Sequence, residues 1–502
     1  NDTHPALCVS ELMRLLLDDH DLPWEQAWAI TVKVMSYTNH TIMAEALEKW
    51  PIDLFKEVIP RNYQIIEEID RRYLEEYAEV HEAALLNRTR IIIDGQVHMA
   101  HLAIIGSHSV NGVAKLHSDL LKSVVLHDFY LIFPERFNNK TNGIAQRRWM
   151  QLANQPLSKV LDMTIGKSWR HNPQDLQLLK NYQEDPTVLQ RLADAKLTNK
   201  QALAEYIQQT TGIEVDPTAI FDVQIKRLHA YKRQLLNVMH ILKLYFDLKD
   251  DPQAPIHPRV FIFGAKAAPS YHYAKAIIKV INEVANLINH DPTINDKLKV
   301  VFLENYNVTL AERIIPAADV SEQISLASKE ASGTSNMKLM LNGAVTIATL
   351  DGANIEIRDA IGDENIAIFG LTEEEVYAYY AQQNYSAYAF YEEDPVLQRV
   401  VNAFIDGTIP NIEREGREVF DSLLKYNDEY FLLKDFKSYC DAQYRVDLAY
   451  KDQQRWQAIS LMNIANAGKF SADYTVQNYA DDIWQIEPLY AHVKEPNSAS
   501  LT

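Results

Sequence analysis

Glu330-Ala331-Ser332-Gly333-Thr334-Ser335-Asn336-Met337-Lys338 combines hydroxyls, one glycine and a lysine within nine residues. It runs into Met337, Leu339, Met340 and Leu341, which read as a helix. Backbone N–H groups at such a turn have no intrahelical partner and form an anion site. A lysine five residues after the glycine, on the first turn of an otherwise apolar helix, is desolvated. Desolvation lowers an amine pKa and favours Schiff-base formation with an aldehyde. Anion cradle and covalent lysine together match pyridoxal phosphate. The same residues equally fit a plain Ser/Thr-rich helix cap whose lysine stem snorkels.

The second concentration of chemistry is Lys226-Arg227-Leu228-His229-Ala230-Tyr231-Lys232-Arg233, with four fixed positive charges in eight residues. The pattern predicts a helix over 226–248 after a strand over 219–225. Arg227 and Tyr231 then share a helix face at i, i+4, flanked by Lys226 and Lys232. A guanidinium beside ammonium groups holds a phosphate; a solvated helix face has the same composition. Two like unit charges ~5 Å apart at an effective dielectric near ~20 repel by roughly 3 kcal/mol, and two phosphate dianions by several times that. A site for two phosphates therefore needs about three cations plus helix-end N–H groups. Lys226, Arg227, Lys232 and the 333–336 turn meet that requirement.

The elements that must position these groups follow from hydrophobic periodicity. Residues 9–20 and 24–34 read as helices. Residues 41–86 read as helical with breaks at Pro51 and Pro60. The run 98–105 reads as a strand, followed by a turn at Gly106-Ser107-His108 and a helix carrying Val113, Leu116 and Leu120. A composition shift through Phe133-Pro134 and Asn138-Asn139-Lys140-Thr141-Asn142-Gly143 marks a hinge. Beyond it, strands at 219–225, 259–263, 298–303, 345–349 and 366–369 alternate with helices, which predicts a parallel sheet covered on both faces. Lys226-Arg227, Gly264-Ala265-Lys266, Glu304-Asn305-Tyr306 and Asp351-Gly352 fall at the carboxyl ends of these strands, where open α/β sheets bind ligands. Residues from 371 read as mostly helical, and 495–502 as disordered.

The 502 residues allow several domains, and no apolar run reaches the ~18 residues of a membrane span. The two cysteines, Cys8 and Cys440, match no metal spacing and point to a reducing cytoplasm. A net charge of −19 argues against nucleic acid or an anionic membrane as the main partner, so an anionic substrate needs a local basic site. Glycine is scarce at 15 residues, which makes Gly333 more telling. The chain opens on Asn1-Asp2-Thr3-His4-Pro5, as though cut within a longer protein.

Several long motifs carry a resemblance: Lys-Arg-Leu-His-Ala-Tyr-Lys-Arg at 226–233, Glu-Ala-Ser-Gly-Thr-Ser-Asn-Met-Lys at 330–338, and Leu-Asp-Gly-Ala-Asn-Ile-Glu at 350–356. Asn-Asp-Thr-His-Pro at 1–5, Tyr-Thr-Asn-His-Thr at 37–41, Met-Ala-His-Leu at 99–102, Asn-Lys-Thr-Asn-Gly-Ile at 139–144, and Pro-Ala-Ala-Asp-Val-Ser-Glu-Gln-Ile-Ser at 316–325 join them. Collinear over nearly the whole chain, they resemble the glycogen (α-glucan) phosphorylase family.

The resemblance implies a glycosyltransferase-B-like α/β fold with the active site between two domains. Residues 1–141 would be the remainder of an N-terminal, glucan-side domain, 142–475 a Rossmann-like domain for pyridoxal 5′-phosphate, and 476–502 a C-terminal helix and tail. Lys338 would be the Schiff-base lysine. Lys226, Thr334 and the backbone of Gly333 to Ser335 would hold the cofactor phosphate, with Tyr306 near its ring. Arg227 and Lys232 would hold the substrate phosphate. Asn142, His40, Tyr231, Glu330, Ser332 and Gly333 would line the glucosyl site, His40 through its main-chain carbonyl. The implied activity is phosphorolysis of α-1,4-glucan by inorganic phosphate to glucose 1-phosphate with retention. The phosphate of the cofactor would exchange the proton, so Glu330, Glu304 and Asp351 are not an acid and nucleophile pair of the hydrolase kind.

Family chains also carry a long N-terminal part, with dimer contacts and a glycine-rich helix start. The expectation is a cytoplasmic enzyme, homodimeric at full length, with little activity from this chain alone. Ile144-Ala145-Gln146-Arg147-Arg148-Trp149 stands where the family has Ile-Thr-Pro-Arg-Arg-Trp, and Ala268-Pro269-Ser270-Tyr271 where it has Ala-Pro-Gly-Tyr. Two alternatives remain: an inactive fragment that binds pyridoxal phosphate or glucan, and a nucleotide-sugar glycosyltransferase with no use for a covalent Lys338.

Overall fold

Short runs of β-branched and aromatic residues pair into three sheets in the computed structural model, which describes residues 1–487. Before residue 142 lie β1 (Tyr37–Thr38), β2 (Lys49–Pro51), β3 (Ile92–Ile93), β4 (Gln96–His98), β5 (Val110–Gly112) and β6 (Phe137–Asn139). β1, β5 and β6 form one sheet with β5 central, all parallel; β2, β4 and β3 form an antiparallel one. The helix Pro60–Tyr77 covers this part, burying Tyr63, Ile66, Ile69 and Tyr73 at helical spacing.

The larger sheet contains β7 (Ile220–Ile225), β8 (Arg259–Gly264), β9 (Leu298–Phe302), β10 (Val320–Gln323), β11 (Val345–Ala348) and β12 (Ala367–Ile368). Its order is β12-β11-β10-β7-β8-β9, parallel throughout. Successive residues of β8 enter opposite cores. Phe261 and Phe263 pack with the helices Gln234–Asp250 and His272–Asn289, whereas Val260 and Ile262 pack with Pro186–Thr211 and Val308–Ala317. Strand order reverses between β7 and β10, and the crevice beyond their carboxyl ends is the topological switch point. Lys226 follows β7, and the 330–338 segment follows β10. The site's location is therefore a consequence of strand order.

Four expectations need correction. Residues 98–105 are not a strand: Met99–Ile105 is a helix with six of its seven residues buried, and the strand is β5. An element buried all round has no polar face to reveal its period. The basic run is not helical either. Residues 226–229 are loop, Ala230–Lys232 is a 3-10 turn, and the helix begins at Gln234 after Arg233 turns left-handed at φ 55°. Arg227 and Tyr231 thus share no helix face. In 41–86, β2 precedes the helices Ile52–Val58 and Pro60–Tyr77, where Pro60 opens a helix at its first position. β10 is a strand that the sequence does not signal, because Val-Ser-Glu-Gln looks polar although all four residues are buried. From 371 to 487 the chain is mostly helical as expected; 495–502 lies outside the described residues. Among the described residues no helix is long and apolar enough to cross a membrane.

Candidate active site

A cleft of ≈ 560 Å³ lies beyond the carboxyl ends of β7 and β10, walled on its other side by residues from before 143. All thirteen candidate site residues line it: His40, Asn142, Lys226, Arg227, Tyr231, Lys232, Tyr306, Glu330, Ser332, Gly333, Thr334, Ser335 and Lys338. Arg227, Tyr306 and Lys338 also line an adjoining cavity of ≈ 530 Å³ with Trp149, Lys266 and Asn307. The two spaces meet at those shared residues.

The cations are held in different ways. Lys226 donates to Gln323 Oε1 at 2.8 Å, an uncharged partner on β10. Burial, reinforced by Lys232, pushes its ammonium down to about 8. Gln323 also donates to Ser335 Oγ at 3.2 Å, so one amide ties Lys226 to the hydroxyl turn. Lys232 pairs with Glu330. Burial alone would lower Lys232 and raise Glu330, but their mutual attraction outweighs it, and both remain charged. The Arg227 side chain is exposed to the cleft, and its carbonyl accepts Gln234 Nε2 at 2.9 Å. Arg233, fully buried, carries no cleft chemistry. It donates to Ile324 O at 2.7 Å and to Asp435 Oδ2 at 2.7 Å, which pins the exit of β10 to the basic loop.

The hydroxyl turn rests on Asp351. Its carboxylate accepts Ser325 Oγ at 2.7 Å, Glu330 N at 2.9 Å and Ser328 N at 3.0 Å. Asp351 is therefore beneath the cleft wall and does not line it. Burial pushes it up to about 7. Glu304 faces a separate groove with Tyr206 and Asn286. Of the four strand-end groups expected to converge, those carrying Lys226, Lys266 and Tyr306 do so, whereas Glu304 and Asp351 do not.

Gly333 has φ 74°, a left-handed conformation that glycine adopts without strain. The N–H groups of Thr334, Ser335 and Asn336 meet no protein acceptor among the described residues. Lys338 lies one turn further on, half-buried, with Nζ 4.5 Å from the centroid of the Trp149 ring; burial lowers its pKa. Trp149 was not singled out from the sequence. It is placed by Asn342 at the end of the short helix, whose Nδ2 donates to the Trp149 carbonyl at 2.9 Å. Tyr306 packs on Gly264, where a Cβ would come within 3.2 Å of the ring, and burial pushes its hydroxyl up to about 12.

On the opposite wall, His40 Nε2 lies 3.2 Å from Asn1 Oδ1, and burial lowers the imidazole pKa. The Asn142 N–H donates to Val113 O at 3.0 Å. An acidic chain thus concentrates Lys226, Arg227, Lys232 and Lys338 in one cleft, against the carboxylates of Glu330 and Glu45. The donor set is that of an anion site.

A family model described as carbohydrate phosphorylase matches residues 1–486. The chain belongs to that family. It is 53% identical over 491 residues to a glycogen phosphorylase of Bacillus subtilis, covering 97% of this chain and 62% of the relative. A glycogen phosphorylase of Synechocystis is 47% identical over 501 residues, with 99% and 59% covered. The muscle form from Bos taurus is 42% identical over 502 residues, with 99% and 60% covered. The chain thus spans about 60% of the length of these relatives. For this member of the carbohydrate phosphorylase family, the glycosyltransferase-B-like α/β reading agrees with the parallel six-stranded sheet.

Proposed function

We propose that this chain is the C-terminal portion of a cytoplasmic α-1,4-glucan phosphorylase, homodimeric at full length, that releases glucose 1-phosphate with retention. Residues 1–141 would be the remainder of the glucan-side domain, 142–475 the cofactor domain and 476–502 a C-terminal segment. The observation that carries the reading is a single cleft joining two anion-holding sets, Lys226 with the 333–336 turn and Arg227 with Lys232, to the Lys338 amine.

The residues fit pyridoxal 5′-phosphate. The left-handed Gly333, the N–H groups without protein acceptors among the described residues and the Lys226 ammonium form a phosphate cradle, while Tyr306, Trp149 and Lys338 line the adjoining cavity. When bound, the cofactor would supply a phosphate able to exchange a proton with inorganic phosphate. Lys226, Thr334 and Ser335 hold that phosphate, and Lys338 tethers the ring. Arg227 and Lys232 hold inorganic phosphate beside it and offset the repulsion between the two anions. Glu330 orients Lys232 and, with Ser332 and Tyr231, meets the glucosyl hydroxyls. His40 and Asn142 close the far wall and exclude water, which strengthens every charge interaction inside.

Borohydride reduction followed by peptide mapping tests the cofactor assignment. A pyridoxyl adduct on Lys338 is expected; its absence would sink the reading in favour of a nucleotide-sugar transferase. Glucose 1-phosphate release from maltodextrin and phosphate, with the longer protein beside this chain, tests the activity. The longer protein should turn over, and this chain alone should be slower by on the order of a hundredfold, because part of the positioning wall lies outside it.

A further inference from the structure

His117 lies on the helix Lys115–Leu120 with no exposed surface. Its Nδ1 is 3.0 Å from the backbone N of Val113, which can only donate, so Nδ1 bears no proton. Its Nε2 is 3.0 Å from Asn39 Oδ1. That oxygen also accepts the Thr41 N–H at 2.9 Å, and the same amide donates through Nδ2 to Tyr37 OH at 3.1 Å. The Asn39 side chain is thereby fixed with its oxygen toward the imidazole, and Nε2 must carry the proton. Hydrogen-bond geometry alone selects the neutral Nε2–H tautomer.

The two ends of this ring lead to different parts of the cleft wall. Asn39 Oδ1 closes the turn 39–41, from which His40 projects. Val113 presents its carbonyl to the Asn142 N–H at 3.0 Å. His40, Val113 and Asn142 all line the cleft. We propose that His117 is the positioning residue of the glucosyl wall, a neutral strut that sets the His40 turn at one end and the Val113–Asn142 contact at the other. A second proton would set N–H against the Val113 N–H. Burial, opposed by a backbone hydrogen bond with Thr41 and aided by His40, holds the imidazole down at about 4. The strut itself follows from these contacts; its effect on glucan rests on the phosphorylase reading above.

Two variants of the longer protein separate the ends. The oxygen of His117→Asn stands where Nδ1 stood and keeps the Val113 bond but cannot reach Asn39. The amide of His117→Gln stands where Nε2 stood and keeps the Asn39 bond but cannot accept from Val113. His117→Gln strands the buried Val113 N–H and His117→Asn leaves Asn39 Oδ1 held by the Thr41 N–H alone, so each should raise the glucan KM or lower kcat by about tenfold, with the phosphate KM and pyridoxyl content within about twofold of wild type. Glucan KM and kcat unchanged in both variants, or a parallel rise in the phosphate KM, would overturn the proposal. The 15N signals of the His117 ring in the unmutated chain decide where a variant fails to fold. They should report Nε2–H and stay constant from about pH 8 to about pH 5.5; a ring that titrates in that range overturns the strut. Absence of phosphorolysis by the longer wild-type protein would count against the functional reading instead, and the 15N result would still decide the strut.

Discussion

Lys226 and Lys232 stand six residues apart, yet their surroundings give them different tasks. Lys232 has a carboxylate partner and stays charged, whereas Lys226 has only the Gln323 amide and is pushed down to about 8. Lys226 is therefore the group whose charge an arriving phosphate restores. In the cofactor-free chain, a lysine with a lowered pKa loses its proton as pH rises through about 8, so anion affinity should fall above that pH. Calorimetric titration with inorganic phosphate between about pH 6.5 and about pH 9.5 checks this, and Lys226→Arg should shrink the decline because guanidinium stays charged, leaving the part due to Lys338. The charge types at 226–233 were readable in the sequence, but their division of labour was not. It depends on Gln323 and Glu330, which lie 97 and 98 residues further along the chain.

The element that organises the site is the loop between β10 and the short helix Ser335–Leu341. Its support comes from below, where Asp351 takes three bonds from it and the Ala353 N–H donates to Ser332 O at 3.0 Å. Gly352 makes that approach possible. Its φ is 51°, and a Cβ there would lie 2.7 Å from Ser332 O and 2.9 Å from Glu330 O. Gly352→Ala should therefore cost about 2 kcal/mol or more, through left-handed strain and backbone contact together. Thermal melting gives the loss, and hydrogen exchange should quicken at 328–334 before the sheet opens. The sequence presented Asp351-Gly352 as a strand end facing ligand, by analogy with its neighbours. Only the packed loop reveals it as a plinth, because burial of a carboxylate under three donors has no local signature. β10 lacks a local signature for a related reason. Glu322 and Gln323 are tolerated in a central strand because Tyr439 OH donates to Glu322 at 3.0 Å and Gln443 at 2.7 Å.

Across the whole molecule, that strand brings two buried carboxyls together against one guanidinium. Asp222 accepts from Arg259 at 3.3 Å, while burial and then Asp222, through its charge and a hydrogen bond, hold Glu322 well above the usual carboxylate range. A carboxyl with a raised folded pKa holds its proton in the folded state after the unfolded chain has released it. Stability is then lost as pH rises from about 4.3 through the folded value. Glu322→Gln carries no proton to lose, so its melting temperature should fall less than that of wild type between about pH 5 and about pH 9. Scanning calorimetry at matched ionic strength checks the slope; equal slopes would reject a protonated Glu322. By itself the sequence determined the alternating α/β pattern, the family, and the residue types gathered at 226–233 and 330–338, because these are encoded in local spacing and long collinear motifs. Tertiary structure alone decided that the basic run is a loop, that Asp351 braces while Glu304 turns away, that Trp149 lines the adjoining cavity and that His117 stands behind the cleft wall. Each of these depends on contacts between segments remote in sequence, and burial sets the charge, tautomer and orientation that those side chains adopt.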